Sequence, residues 1–253
     1  MLYPSSQIKE HFLNLGIKPG DTIFLHGNAG ITSQYIYKKG QNPVRGFFNE
    51  LKTFLCNGTI LVPSFTYSAT KGQVFDVLMT PSEVGLFSEE FRMLEGVVRS
   101  HHPIFSICAF GKNAEYFTNG CIKDCFGKNT FFDLVYNMNV KIVTLGCPFE
   151  RVTFIHFVEQ QLNISYRYFK TFSAKILIAG IQKSFNVNYF VRNLKIDTEL
   201  NFTPLEVEAL RQNKIEIKPF GRFKTRSISS KDFYDVAYHL LSDNEYALIG
   251  GIE

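Results

Sequence analysis

Tryptophan is absent from the 253 residues, and the apolar stretches are short. The longest, such as KILIAGI at 175–181, fall well below the ~20 residues that a membrane-spanning helix needs, so no membrane partner is expected. The opening MLYPSSQIKE has neither the basic nor the apolar stretch of an export signal. Cysteine is sparse and unpaired in pattern. Cys56, Cys108, Cys121, Cys125 and Cys147 are odd in number and show no CxxC spacing, which argues against a disulfide framework or a structural zinc site. Reduced thiols and a cytoplasmic location are the expectation. There is no linker, low-complexity tract or internal repeat, so a single domain over 1–253 is the simplest organisation. Charge of one sign is not in great excess either. Lys+Arg 27 against Asp+Glu 23 gives a net charge of +4, too little to imply nucleic acid and enough to suit a small anionic ligand.

Apolar material is plentiful: 45% hydrophobic and 15% aromatic, with 26 Phe and 12 Tyr, enough for a sizeable core. Residues 5–15 read as a helix with Ser5 or Ser6 as N-cap and Gly16 at its end. DTIFLH (21–26) is a buried strand. Residues 42–58 form a helix opened by Asn-Pro and closed by Gly, and TILVPSF (59–65) is a strand. TPSE (80–83) opens the next helix with a capping-box pattern and carries it to about Arg92. A strand (104–111), a helix (130–138), a strand (140–146) and a helix (153–162) follow. This alternation predicts an α/β fold, a largely parallel or mixed sheet with helices on both faces. Beyond Tyr166 the segments at 168–181, 185–196, 214–221 and 221–228 read as strands of a more antiparallel region. Helices at about 203–213 and 229–242 complete the chain.

In an α/β sheet the ligand-binding loops lie at the carboxyl ends of the strands. Three segments there carry chemistry-bearing residues. His26-Gly27-Asn28-Ala29-Gly30 follows the first strand, and its small residues let backbone amides approach a ligand; a tight turn with a buried histidine explains the same residues. After 140–146, Thr153 reads as an N-cap and places His156 in the first turn. There the helix dipole favours a neutral, proton-accepting imidazole, with Glu159 one turn on, on the same face. SEEFRMLEGVVRSHHPIFS (88–106) brings together Glu89, Glu90, Arg99, Ser100, His101 and His102. Two other enzyme readings use these residues. A metal hydrolase would draw on His101, His102, His156 and Glu159, but HExxH spacing is missing and adjacent histidines generally cannot share one ion. A thiol enzyme would use Cys147, just ahead of a helix N-terminus.

The segments GTILVPSFT, FDVLMTPSEVGLFSEEFR, GVVRSHHPIFSICAFGKNA, KIVTLGCPFERVTFIHFVE and GRFKTRSISSKDFYDVAYHLL occur in the order and spacing of the aminoglycoside 3-N-acetyltransferase family, which the chain resembles over nearly its whole length. Its most specific pieces are TPS-x-x-G-x-x-x-E-x-F-R, R-S-x-H-P and T-x-x-H-x-x-E. The resemblance implies a three-layer α/β/α fold with a central mixed sheet. It also implies dependence on acetyl-coenzyme A, no metal, and direct transfer to an amine in a ternary complex. Carried over residue by residue, it implies His156 as general base and Glu89 as the carboxylate that orients it. His26, Gly27, Asn28, Ala29, Arg99 and Ser100 are expected at the cofactor, and His102, Glu159 and Tyr67 at the acceptor. Where the family usually has His-Ser-Ser-Leu, this chain has His26-Gly27-Asn28-Ala29, so hydroxyl contacts to the cofactor must come from backbone amides or from Asn28. Amides of the 26–30 loop or the Ser100 hydroxyl are the candidate oxyanion donors.

The basic residues Lys214, Lys218, Arg222, Lys224 and Arg226 suggest an anionic acceptor that still carries a primary amine, namely a nucleotide-linked amino sugar stacked on aromatic residues such as Tyr67, Phe126, Phe149 and Tyr168. An aminoglycoside is the alternative acceptor. Monomer and dimer are both compatible with the sequence.

Overall fold

The computed structural model describes residues 2–196 and 199–250. In chain order the elements are β1 (Tyr3–Pro4), α1 (Gln7–Asn14), β2 (Thr22–Gly27), α2 (Ala29–Thr32), β3 (Tyr35–Ile36), α3 (Pro43–Phe54), β4 (Thr59–Pro63), β5 (Val74–Asp76), α4 (Leu86–Arg92), β6 (Val98–Arg99) and β7 (Ile107–Gly111). They continue with α5 (Ala114–Thr118), α6 (Phe131–Asn137), β8 (Lys141–Leu145), α7 (Ile155–Leu162), β9 (Arg167–Ile178), β10 (Ile181–Arg192), α8 (Thr203–Arg211), β11 (Ile215–Phe220), β12 (Phe223–Ser229) and α9 (Ser230–Asp243).

Seven strands form a mixed sheet in the order β11-β12-β8-β2-β4-β7-β6. Its centre, β8-β2-β4, is parallel, and the strands flanking it are antiparallel. Strand alternation sorts side chains to two faces. Ile23 and Leu25 of β2 join α1, α3 and α4 through Phe12, Phe47, Phe48, Phe87 and Phe91. Phe24 between them joins α6, α7, α8 and α9 through Phe132, Phe154, Leu205 and Phe233. The result is the expected three-layer α/β/α arrangement. At roughly 1.5–3 kcal/mol for each fully buried large apolar side chain, these two cores dominate the stability. The antiparallel C-terminal region is also present, as the hairpin β9–β10 with twelve residues in each strand, which β5 extends into a separate three-stranded sheet, and as β11–β12 on the main sheet.

The helix expected from 80 starts later, at Leu86. Thr80 is engaged backwards instead: its hydroxyl accepts from the Asp76 amide and its own amide donates to the Asp76 carbonyl. The Glu83 amide is drawn to the Phe65 carbonyl, and Gly85 takes φ 106, a conformation that delays the helix by a turn. The Asn42 cap of α3 is as read, with its side-chain oxygen accepting from the Val44 and Arg45 amides. Thr153 does not cap α7. Phe154 holds that position without a side-chain bond, and a 3₁₀ turn at Phe149–Arg151 sets the entry angle.

Candidate active site

His156 is the second residue of α7, and Glu159 follows at i+3 on the same side. Asn163 ends the helix in the left-handed conformation (φ 49, ψ 48), tolerated by asparagine far better than by branched residues, and turns the chain back over the helix. Tyr166 and Arg167 therefore return onto Glu159. The Tyr166 hydroxyl donates to Glu159 Oε1 at 2.8 Å, and Arg167 Nε lies 2.8 Å from Oε2. Glu159 is fully buried.

His156 Nδ1 lies 2.6 Å from Glu159 Oε2 and 2.8 Å from Arg167 Nη2. A contact of 2.6 Å between a nitrogen and a carboxylate oxygen requires a proton between them, and arginine cannot accept one. Nδ1 therefore donates to Glu159, and Arg167 neutralises that carboxylate rather than bonding the ring. Burial alone would raise the Glu159 carboxyl, but His156, Arg167 and Tyr166 together hold it below the ordinary value. Burial and then the Arg167 charge lower the His156 pKa, against the pull of Glu159. The imidazole is thus neutral near pH 7 with its lone pair on Nε2, which bonds no described residue. The side chain is 16% exposed.

Phe126 stands edge-on to the His156 ring at 5.4 Å. Its loop is fixed by Asp124, whose carboxylate accepts from the Phe126 and Gly127 amides. Phe105 and Tyr189 extend the aromatic wall, and Tyr67 touches Phe105 at 5.9 Å between centroids. Tyr67 adopts φ 53 and ψ 19, a left-handed conformation uncommon for an aromatic residue, at the start of the 3₁₀ turn Ser68–Lys71.

Several expected site residues stand elsewhere. Glu89 sits on α4, across the sheet from α7, where it forms a two-point pair with Arg92 and accepts from the Ser82 amide. Its partners do not include His156; the carboxylate within hydrogen-bond distance of that ring is Glu159, which is itself sealed from solvent. The Arg99 guanidinium donates to Ser64, Ser106 and the Val77 and Thr80 carbonyls, which ties it into the fold. The Ser100 hydroxyl accepts from the Ile107 amide. His102 Nδ1 accepts from the Ile104 and Phe105 amides while Nε2 donates to the Asp124 carbonyl, and burial lowers its pKa to about 4. The R-S-x-H-P motif thus shapes the connection that carries Phe105.

In the first loop, a Cβ on Gly27 would fall 2.5 Å from Phe87, so the missing side chain admits a protein ring and not a ligand. Asn28 caps α2 by accepting from the Gly30 amide, and His26 is buried with both ring nitrogens unpartnered. Ala29 packs against the core. Cys147 is held near pKa 11 by burial, against thiol chemistry. No group of three or more His, Cys, Asp or Glu suited to a metal ion occurs among the described residues. Sequence reasoning missed Tyr166, Arg167 and Tyr189, which have no motif of their own and depend on how the hairpin returns.

An α/β fold with a neutral, carboxylate-held histidine beside an aromatic wall fits an enzyme that removes a proton from its substrate. Residues 38–242 match the family model described as aminoglycoside 3-N-acetyltransferase, and the chain belongs to that family. It is an acyltransferase of the N-acetyltransferase class, whose donor is acetyl-coenzyme A. Similar solved structures include AAC-IIIb in a binary complex with CoASH (TM-score 0.82, 17% identity, 100% of each chain covered). Another is YokD from Bacillus subtilis (0.80, 18%, 97% of this chain and 95% of that one). A third is AAC-VIa bound to sisomicin (0.78, 19%, 96% and 98%).

Proposed function

We propose that this chain moves an acetyl group from acetyl-coenzyme A to a primary amine of an amino-sugar acceptor of the aminoglycoside kind, with His156 as general base and Glu159 as the residue that orients it. The observation that carries this reading is the 2.6 Å contact between His156 Nδ1 and Glu159, which leaves Nε2 unprotonated and facing outward. A bound amine arrives protonated, and removing that proton is the base's task; such catalysis contributes about 10² to 10⁴ in rate. The donor supplies an activated acetyl thioester, which suits a half-buried site with an aromatic wall. Asn28 and Arg151, both exposed at the carboxyl ends of β2 and β8, are the polar side chains available to its pantetheine and phosphates.

The basic residues near the C-terminus form no open field for a nucleotide-linked acceptor. Lys214 faces Asp232 and Asp235, Lys218 faces Glu216, and Lys224 and Arg226 both pair with Glu206, while Arg222 lies over the Phe223 ring. The family match and a sisomicin-bound structural relative favour the aminoglycoside class instead. Thiol release from acetyl-coenzyme A, measured side by side with aminoglycosides and nucleotide-linked amino sugars, tests this. Turnover confined to the nucleotide sugars would reverse the assignment.

A further inference from the structure

Tyr189 lies on β10, paired with Lys170 of β9, and its ring is enclosed by Phe105 at 5.2 Å and 90°, Phe126 at 5.8 Å and Phe172 at 6.3 Å. Both of its chain neighbours are tied to the site. Arg167, which neutralises Glu159, donates through Nη1 to the Phe190 carbonyl at 3.1 Å. On the other side, the Asn188 amide donates to the Lys123 carbonyl and its carbonyl accepts from the Cys125 amide, which stitches β10 to the loop that carries Phe126. Tyr189 and His156 therefore flank the same Phe126 ring on backbone that cannot shift independently.

Among the described residues the Tyr189 hydroxyl has no hydrogen-bond partner, and it is not among the oxygens sealed from solvent. Half-buried tyrosine hydroxyls ordinarily find a partner. Set among Phe105, Phe126 and Phe172 and not sealed from solvent, this hydroxyl is a donor free to meet a ligand atom. Of the loop amides, those of Asn28, Gly30 and Ile31 bond within the chain, and the Ser100 hydroxyl is buried where it accepts from the Ile107 amide.

Building on the acetyltransferase reading, we propose that Tyr189 is a catalytic residue whose hydroxyl donates a hydrogen bond to the thioester carbonyl oxygen of the donor. Once the amine has lost its first proton through His156 to solvent, its lone pair forms the new C–N bond while the carbonyl π electrons move onto that oxygen, where the Tyr189 hydroxyl meets the growing negative charge. His156 Nε2 takes the proton from nitrogen. When the carbonyl re-forms, the C–S bond breaks, the sulfur leaves with the electron pair, and the imidazolium returns the proton to it. Burial raises the Tyr189 pKa and keeps the hydroxyl protonated as a donor, and the nearby Arg167 charge opposes that shift only in part.

The test is Tyr189→Phe, which keeps the ring and removes the oxygen. Both acceptor-dependent thiol release and the slow acceptor-free cleavage of acetyl-coenzyme A should fall by about 10² to 10³. Coenzyme A binding by calorimetry, the melting temperature and the acid limb set by His156 should be unchanged. Cleavage within threefold of wild type, or a displaced acid limb showing that Tyr189 acts through His156, would overturn the assignment. Wild-type protein that neither binds coenzyme A nor cleaves the thioester would instead bring down the acetyltransferase reading, and this assignment with it.

Discussion

His156 Nδ1 and Glu159 Oε2 stand 2.6 Å apart on one face of α7, with the carboxylate sealed from solvent and the imidazole open on its far side. This asymmetry directs the proton to Nε2. His156→Ala should lower kcat by 10² or more while leaving the melting temperature and coenzyme A affinity near wild type. Retention of more than about a tenth of the turnover would contradict the role.

Two carboxamide variants separate the two glutamates. Glu159→Gln should lower kcat by at least tenfold and also destabilise the fold, because Arg167 would be left buried without a counter-charge, a loss of roughly 3–5 kcal/mol. Glu89→Gln should leave kcat within a fewfold, since its partners are Arg92 and Ser82. The reverse ranking would restore Glu89 to the site.

Acid should affect activity and stability through different histidines. Because the His156 pKa is lowered, activity should persist below pH 6.5 and fall as the ring becomes protonated. Arg167→Gln removes a charge that lowers it, so the acid limb of kcat should move to higher pH.

For stability, burial lowers His11 to about 4, His26 to about 3 and His102 to about 4. Unfolded chains hold these groups near 6.5, so their contribution is fully present above that pH and is lost as pH falls from about 6.5 towards the folded values. Urea midpoints should drop across this window. His11→Phe should flatten the slope, because His11 Nε2 is buried without a partner and its ring already lies among Phe12 and Phe220; a slope parallel to wild type would contradict this.

Arg99→Ala should behave as a stability mutant. It strands the Val77 and Thr80 carbonyls and should cost several kcal/mol in urea unfolding, with coenzyme A affinity per folded molecule unchanged. A selective loss of affinity would place Arg99 at the cofactor after all.

What the sequence made legible was what short-range chemistry determines. The Asn42-Pro43 start of α3, the alternation of Ile23, Phe24 and Leu25, and the i, i+3 spacing of His156 and Glu159 can all be read locally. Long-range pairing could not be read. Thr80 looks like a cap until Asp76 claims it, and Glu89 shares a motif-rich stretch with Arg99 yet lies across the sheet from His156. Arg99, Ser100 and His102 carry functional side-chain types, but their polar atoms satisfy the backbone of an irregular connection, a need visible once the fold is known. The basic residues near the C-terminus looked like a field until Glu206, Glu216, Asp232 and Asp235 were found beside them.

The left-handed turn at Asn163 confines the base, its carboxylate and both residues that hold that carboxylate to 156–167. The proton-handling apparatus is therefore a short contiguous cassette whose closure depends on one backbone conformation. A β-branched substitution such as Asn163→Val leaves every functional side chain in place, yet it should loosen the pairing of Glu159 with Arg167. The proposed chemistry is in that sense exposed to damage at a position outside the His156, Glu159 and Arg167 contacts themselves.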